Sequence, residues 1–398
     1  MRSSETLVLR APGSKSLTQR ALVLAALAGG QSSLLDPLEC DDSRHLRGAL
    51  RGLGVQIDEH AGGWRVRGGV LRAAPGPLDC GEGGTTLRFL APLCLLLDGP
   101  LLLEGRGRLR SRPLGELLAA LEALGVEARR PGGGENFPLS LRRQTEPGDA
   151  ARLSASRSSQ FLSGLLMVGP ALPRGLRLEL AGPVVSRPYL ELTLGAMAAF
   201  GVEVEREGDT FVVPPARYQP CRYAVEGDWS GGAFLLAAAW ISGRPLEVDN
   251  LDPASAQGDR VMPRMLAELS RPRPHRFDLR HCPDLVAPLA AACAVADQPS
   301  EITGAAHARL KESDRLGVLA GQLRRAGVTV EARPDGLRVE PAGRLEPASL
   351  DPHGDHRMAM AFGLLSLRQP DLRVLDPGCV SKSYPLFWEH LALFREPG

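Results

Sequence analysis

The chain has 398 residues, 43% of them hydrophobic and 23% charged, with a formal net charge of +1. That length predicts two domains, and the near-neutral charge excludes a dedicated nucleic-acid binder. No apolar run reaches the roughly 18 residues of a membrane span, and the seven scattered cysteines, without a CxxC spacing, indicate neither a disulfide framework nor a zinc site.

The N-terminus lacks a signal peptide's apolar core, so a cytoplasmic protein with no membrane partner is expected. Of 47 basic residues, Lys15, Lys311 and Lys382 are the only lysines. A chain so biased toward arginine keeps lysine where a compact, proton-exchanging ammonium is needed.

The first element is "PGSKSLTQRALVLAALAGG", from Pro12. It predicts a helix over 17–28, capped by Ser14 or Ser16 and ended by Gly29-Gly30. Lys15, Ser16 and Arg20 then cluster at a helix start, where free N–H groups and the dipole favour an anion.

A unit of helix, Gly-Val step and strand–turn–strand follows from Arg44 and recurs from Arg112, Arg187 and Asp314. Gly54, Gly125, Gly201 and Gly327 fit left-handed residues just past the helices. The last gap is nearly twice the others, so a degenerate copy is placed around "RVMPRMLAELS".

Between these units lie the polar motifs. "CGEGGTTLRFLAPL" is either a plain tight turn or a loop whose Gly83 and Gly84 admit a ligand to the backbone, with Arg88 one turn in. "SASRSSQFLSGLLMVGP" puts Ser158, Ser159 and Gln160 before an apolar helix, as an ordinary N-cap or a phosphate seat. "VSRPY" repeats the theme with Ser186, Arg187 and Tyr189.

In "RLKESDRLGVLAGQLRRAGV", Lys311 and Arg315 share a helix face with Glu312 beside both, as a surface ion ladder or an anion site. "GDHRMAMAFGLL" sets Asp355, His356 and Arg357 before another helix; His353 and His356 lack a third ligand, so no metal is expected. "DPGCVSKSYPLFWEHL" delivers Lys382 after a Pro-Gly turn. If these helix ends converge on one cleft, they suit small polyanionic substrates.

The motifs "PGSKSLTQRAL", "GGTTLR", "SRPL", "SSQFLSGLLM", "SRPY", "VEGDWSGGAFLLAA", "PDLVAPLA", "LKESDR", "GDHRMAMAF" and "DPGCVSKSYPLFW", in this order, resemble the 5-enolpyruvylshikimate-3-phosphate synthase family over nearly the whole chain. The resemblance implies an α/β fold: a two-lobed inside-out α/β barrel, each lobe three repeated β-α-β-α-β-β units with helices packed inward. Residues 1–14 and 227–398 would form one lobe and 15–226 the other, joined by crossovers in "APGSKS" and "ARYQPCRYAVEG". It also implies transfer of the enolpyruvyl group of phosphoenolpyruvate to the 5-hydroxyl of shikimate 3-phosphate, with release of phosphate. No cofactor is implied; the expected state is a monomer, and the expected inhibitor is glyphosate.

Carried over by motif, shikimate 3-phosphate would meet Lys15, Ser16, Arg20, Ser158, Ser159, Gln160, Ser186, Tyr189, Asp284, His307 and Lys311. Phosphoenolpyruvate would meet Lys15, Gly84, Arg112, Gln160, Glu312, Arg315, His356, Arg357 and Lys382. Lys15, Asp284, Glu312 and Lys382 would be catalytic. The chain departs from the pattern at Glu82, where asparagine is common, and at His307, where Asn or Glu is common. The related UDP-N-acetylglucosamine enolpyruvyl transferases would show Lys-Asn in place of Lys15-Ser16. An arginine-rich RNA-binding repeat protein is disfavoured by the neutral charge and 5% aromatic content.

Overall fold

In the computed structural model, which describes residues 6–130, 136–182 and 184–395, strand β1 (Leu7–Leu9) precedes helix α1 (Lys15–Leu27). β2 (Gly30–Leu35), α2 (Asp41–Gly52) and the hairpin β3 (Gln56–His60) and β4 (Gly63–Gly68) follow. The next stretch runs β5 (Leu78–Asp79), α3 (Gly84–Leu90), β6 (Leu101–Glu104), α4 (Gly115–Ala123), β7 (Val126–Arg129) and β8 (Leu139–Arg143). The same order recurs as β9 (Ala150–Leu153), α5 (Ser159–Val168), β10 (Leu176–Leu180), α6 (Pro188–Ala199), β11 (Glu205–Glu207) and β12 (Thr210–Val213), before β13 (Arg222–Ala224).

The second half opens with α7 (Trp229–Ser242), β14 (Leu246–Val248) and α8 (Met262–Leu269). A full repeat follows: β15 (His275–Asp278), α9 (Val286–Ala294), β16 (Ser300–Thr303), α10 (Arg315–Arg325), β17 (Thr329–Arg333) and β18 (Gly336–Glu340). Last come β19 (Ser349–Leu350), α11 (His356–Leu365), β20 (Arg373–Val374) and α12 (Phe387–Ala392). Two compact units result: Lys15–Val225, and the residues through Ser14 together with those from Glu226 onward. Parallel pairing of Leu7 with Leu246 ties β1 into the second of these.

In the Lys15–Val225 unit three four-stranded sheets share one topology, β13-β2-β4-β3, β5-β6-β8-β7 and β9-β10-β12-β11. Each begins with a parallel pair and continues antiparallel. The other unit has one such sheet, β15-β16-β18-β17, and two parallel pairs, β1-β14 and β19-β20. Among the described residues these two copies therefore stop at two strands where four were expected. Between α8 and β15 the reason is visible: residues 270–274 hold Pro272 and Pro274 and leave no length for a hairpin. Among the described residues none of these sheets closes into a barrel.

Helices α1, α3, α5 in one unit and α7, α9, α11 in the other are buried on nearly every side. Their Ala, Gly and Leu content allows this, since a helix apolar all round belongs inside. The sheets cover them with one apolar face: in β10, Leu176, Leu178 and Leu180 are buried while Arg177 and Glu179 are exposed. Gly54, Gly125, Gly201 and Gly327 have φ of 93°, 89°, 81° and 83°, the left-handed state that ends α2, α4, α6 and α10. No helix among the described residues is long and apolar enough to cross a membrane.

Two local expectations are corrected. Helix α1 starts at Lys15 rather than Leu17, so Lys15 and Ser16 sit in its first turn. Helix α10 starts at Arg315, so Lys311 does not share its face. The cause is Asp314, whose side chain accepts from Gly317 N at 3.1 Å and is itself held by both Nη1 contacts of Arg309.

Candidate active site

In the Lys15–Val225 unit, Lys15 Nζ lies 3.0 Å from Asp42 Oδ2, and both side chains are largely buried. Asp42 stands in the first turn of α2, where a carboxylate is favoured by the helix dipole. One turn past Lys15, Arg20 is 1% exposed. Its Nε donates to Thr193 Oγ1 at 2.8 Å, Nη1 to Ser16 O at 2.8 Å, and Nη2 to Tyr189 O at 2.8 Å and Ser163 Oγ at 3.4 Å. Burial lowers this guanidinium to about 10, so it remains charged at neutral pH. These acceptors are all neutral, and they lock Ser16 of α1 and Tyr189 of α6 together.

Ser158 caps α5 by accepting from Gln160 N at 3.3 Å. Gln160 Nε2 donates to Thr85 Oγ1 at 2.8 Å, and Gln160 Oε1 accepts from Arg88 Nη1 at 2.6 Å. The "GGTTLR" and "SSQFLSGLLM" motifs therefore meet side by side. Ser186, just before α6, has φ of 54° and is buried. A non-glycine residue in that region is strained, and such strain concentrates at functional sites. Gly84 opens α3, and a Cβ built there would lie 2.5 Å from Arg112 Nη1. The Arg112 guanidinium thus rests against bare backbone.

The second unit gathers the remaining groups around Arg315, which is 1% exposed. Its Nη1 reaches Asp284 Oδ1 at 2.7 Å, its Nη2 Glu312 Oε2 at 2.7 Å, and its Nε Asp355 Oδ2 at 2.8 Å. A further Nη2 contact to Asp355 Oδ1 is 3.3 Å, so four of its contacts go to carboxylates. Burial alone would lower the Arg315 guanidinium, but Asp355, Glu312 and Asp284 more than reverse that and hold it above its usual value. Arg357 Nη2 adds a contact to Asp284 Oδ2 at 3.3 Å.

Asp355 anchors this cluster. It is fully buried, caps α11 by accepting from Arg357 N at 3.0 Å, and accepts from Ser313 Oγ at 3.0 Å. His356 is buried in the first turn of α11, its Nδ1 3.7 Å from Asp355 Oδ1. Lys382 ends the turn Pro377–Lys382 and is 6% exposed. His307 is driven down to about 4 by burial and then by Lys311, so its ring is neutral at physiological pH. Lys311 and Glu312 lie in the bend before α10 rather than on it.

Sequence reasoning did not single out Asp42, Asp259 or the anchoring role of Asp355. Asp42 reads as a first-turn acid, Asp355 as an N-cap, and Asp259 lies in the degenerate copy. Only three-dimensional pairing separates them from ordinary helix-start carboxylates.

The sequence profile of EPSP synthase (3-phosphoshikimate 1-carboxyvinyltransferase) matches residues 5–391. The chain is 40% identical to a 3-phosphoshikimate 1-carboxyvinyltransferase of Methanosphaerula palustris, over 97% of this chain and 96% of that one. It is 37% identical to that of Thiobacillus denitrificans, over 98% and 97%. A solved EPSP synthase from Acinetobacter baumannii superposes with a TM-score of 0.73 at 21% identity, covering 98% and 96%, which shows the shared fold. With the profile spanning both units and relatives matching end to end, the chain belongs to the EPSP synthase family.

Proposed function

We propose the following division of labour for the reaction of this family, in which the enolpyruvyl group of phosphoenolpyruvate passes to the 5-hydroxyl of shikimate 3-phosphate and phosphate leaves. The methylene carbon must gain a proton while the hydroxyl attacks its neighbour, and the tetrahedral intermediate then loses phosphate and a methyl proton. Asp284 takes the hydroxyl proton. Glu312 exchanges the proton at the methylene and methyl carbon. Lys15 and Lys382 steady the departing phosphate.

Ser16, Arg20, Ser158, Ser159, Ser186, Tyr189, His307 and Lys311 hold shikimate 3-phosphate, with Gln160 shared between substrates. Gly84, Arg112, Arg315, His356 and Arg357 serve phosphoenolpyruvate, the arginines through forked contacts to carboxylate or phosphate. Glyphosate, with a carboxylate and a phosphonate, competes for that second set.

One observation carries this reading: the two carboxylates assigned to proton transfer, Asp284 and Glu312, grip the same buried guanidinium at 2.7 Å each. Arg315 keeps both at a fixed separation; Asp284 accepts the hydroxyl proton as a carboxylate, while Glu312 gives its proton to the methylene carbon and takes one back from the methyl. The test is phosphate release with both substrates. Asp284→Asn and Glu312→Gln should each cut turnover by about a hundredfold or more, with the fold intact by circular dichroism. Wild-type turnover in either variant would overturn its assignment.

A further inference from the structure

Asp259 sits in the turn Gly258–Val261 that leads into α8, and it is 3% exposed. Its Oδ2 accepts a hydrogen bond from the Ser230 hydroxyl. Its Oδ1 has no hydrogen-bond partner. Among the described residues no cation forms an ion pair with it. Asp284 differs sharply, since Arg315 and Arg357 both bind it.

The groups facing Asp259 come from three elements. Asp284 lies in the turn Pro283–Leu285, Asp228 caps α7, and Arg357 stands in α11. Cys282 also faces it, and burial keeps that thiol protonated. Nearby, Asp284, Glu312 and Asp355 share Arg315 and Arg357. Both guanidiniums are thus already engaged by other carboxylates. A fourth ionised carboxyl would be unpaired and fully desolvated, a state that proteins avoid by neutralising the group.

We propose that Asp259 is a positioning residue that remains protonated while Asp284 is ionised. Asp284 then has no uncompensated carboxylate beside it from Asp259, and anionic substrates are admitted there. The proposal rests on Asp284 being the proton acceptor. With Ser230 fixing Oδ2, the proton is carried on Oδ1. Burial, followed by the charge of Asp284, raises the Asp259 carboxyl to about 7, against the pull of Arg357 and the Ser230 hydrogen bond. Above that pH a second negative charge appears. It makes Asp284 a less available anion and repels phosphoenolpyruvate.

The experiment is kcat/KM for phosphoenolpyruvate from about pH 6 to 9 in wild type, Asp259→Asn, Asp259→Ala and Asp284→Asn. Comparing variants cancels the titration of the substrates themselves. Asp259→Asn, neutral throughout, should keep kcat within about threefold of wild type at the acidic end. It should also lose the alkaline fall that wild type shows above about pH 7. Asp259→Ala, which leaves Ser230 unpaired over a cavity, should lose about tenfold or more at every pH. An alkaline fall in Asp259→Asn equal to that of wild type overturns the proposal. So does a folded Asp259→Asn that is about thirtyfold slower at the acidic end, because the charge itself would then be required.

Should Asp259→Asn fail to fold, infrared titration of wild type decides. A protonated-carboxyl band must be present at the acidic end and vanish above neutrality, and its absence overturns the proposal. Asp284→Asn separates the two assignments. Full turnover there removes Asp284 as acceptor while the infrared titration of Asp259 still stands on its own.

Discussion

A Cβ built on Gly84 would lie 2.5 Å from Arg112 Nη1, 2.6 Å from Cζ and 2.7 Å from Nη2, so the absent side chain of one residue is the seat of the other. In Gly84→Ala the flexible guanidinium must move, and it narrows the space it was helping to line. Glyphosate is longer than phosphoenolpyruvate and should lose more. The expectation is competitive inhibition against phosphoenolpyruvate in wild type. Gly84→Ala should raise the inhibition constant by a larger factor than the Michaelis constant. Initial rates over both concentrations check this, and an unaltered ratio contradicts it. Glu82, exposed in the same loop, adds a negative charge; Glu82→Asn should tighten both anions.

Lysine scarcity has a structural counterpart. Lys15 meets one carboxylate oxygen of Asp42 in a largely buried position, and Lys382 is 6% exposed. A guanidinium is wider and does not give up its proton. Lys15→Arg and Lys382→Arg should fold normally yet lose about tenfold or more in turnover, roughly 1.4 kcal/mol. Near-normal turnover in both, measured by phosphate release, would remove the argument from lysine retention.

Arg315 should matter for stability as well as turnover. Removing a buried partner leaves charges uncompensated, at a cost of about 3–5 kcal/mol. Urea unfolding of Arg315→Ala should show a loss of that size. A loss under about 1 kcal/mol would mean that water, not Arg315, stabilises the three carboxylates.

His307 gives a pH signature. Its folded value of about 4 lies below the ordinary 6.5. The unfolded chain therefore binds a proton that the folded chain refuses between those values, and stability falls as pH drops through that window. His307→Gln should lose less stability than wild type between pH 6.5 and 4. Thermal melts at those two pH values check the sign; parallel losses in the two proteins contradict it.

Much of the fold was legible because its signals are local. Four left-handed glycines, each followed by valine, end helices as expected, and "VEVEREGDTFVV" and "VTVEARPDGLRVE" fold as the hairpins their alternation predicts. What stayed hidden is non-local or depends on a cap. Whether a copy keeps its hairpin hinges on the spacer between α8 and β15. The Lys311–Arg315 spacing suggested a shared helix face, but Asp314 caps the helix start one residue before Arg315 and leaves Lys311 outside it. In the candidate site, the basic residues stood out because anion sites advertise themselves at helix starts. Two of the acids that hold them did not, because Asp42 and Asp355 look like any favourable first-turn or capping residue until Lys15 and Arg315 are seen beside them.

The central claim is that Glu312 exchanges a proton at the methylene carbon while Asp284 relieves the attacking hydroxyl. The most direct test is the forward reaction in deuterium oxide, with the enolpyruvyl methylene of the product read by NMR in wild type and Glu312→Gln. Wild type should place solvent deuterium in that methylene, with one phosphate released per product. Glu312→Gln should lose incorporation and turnover together. A wild-type product free of deuterium, or a Glu312→Gln variant that incorporates it at the wild-type rate, would contradict the account.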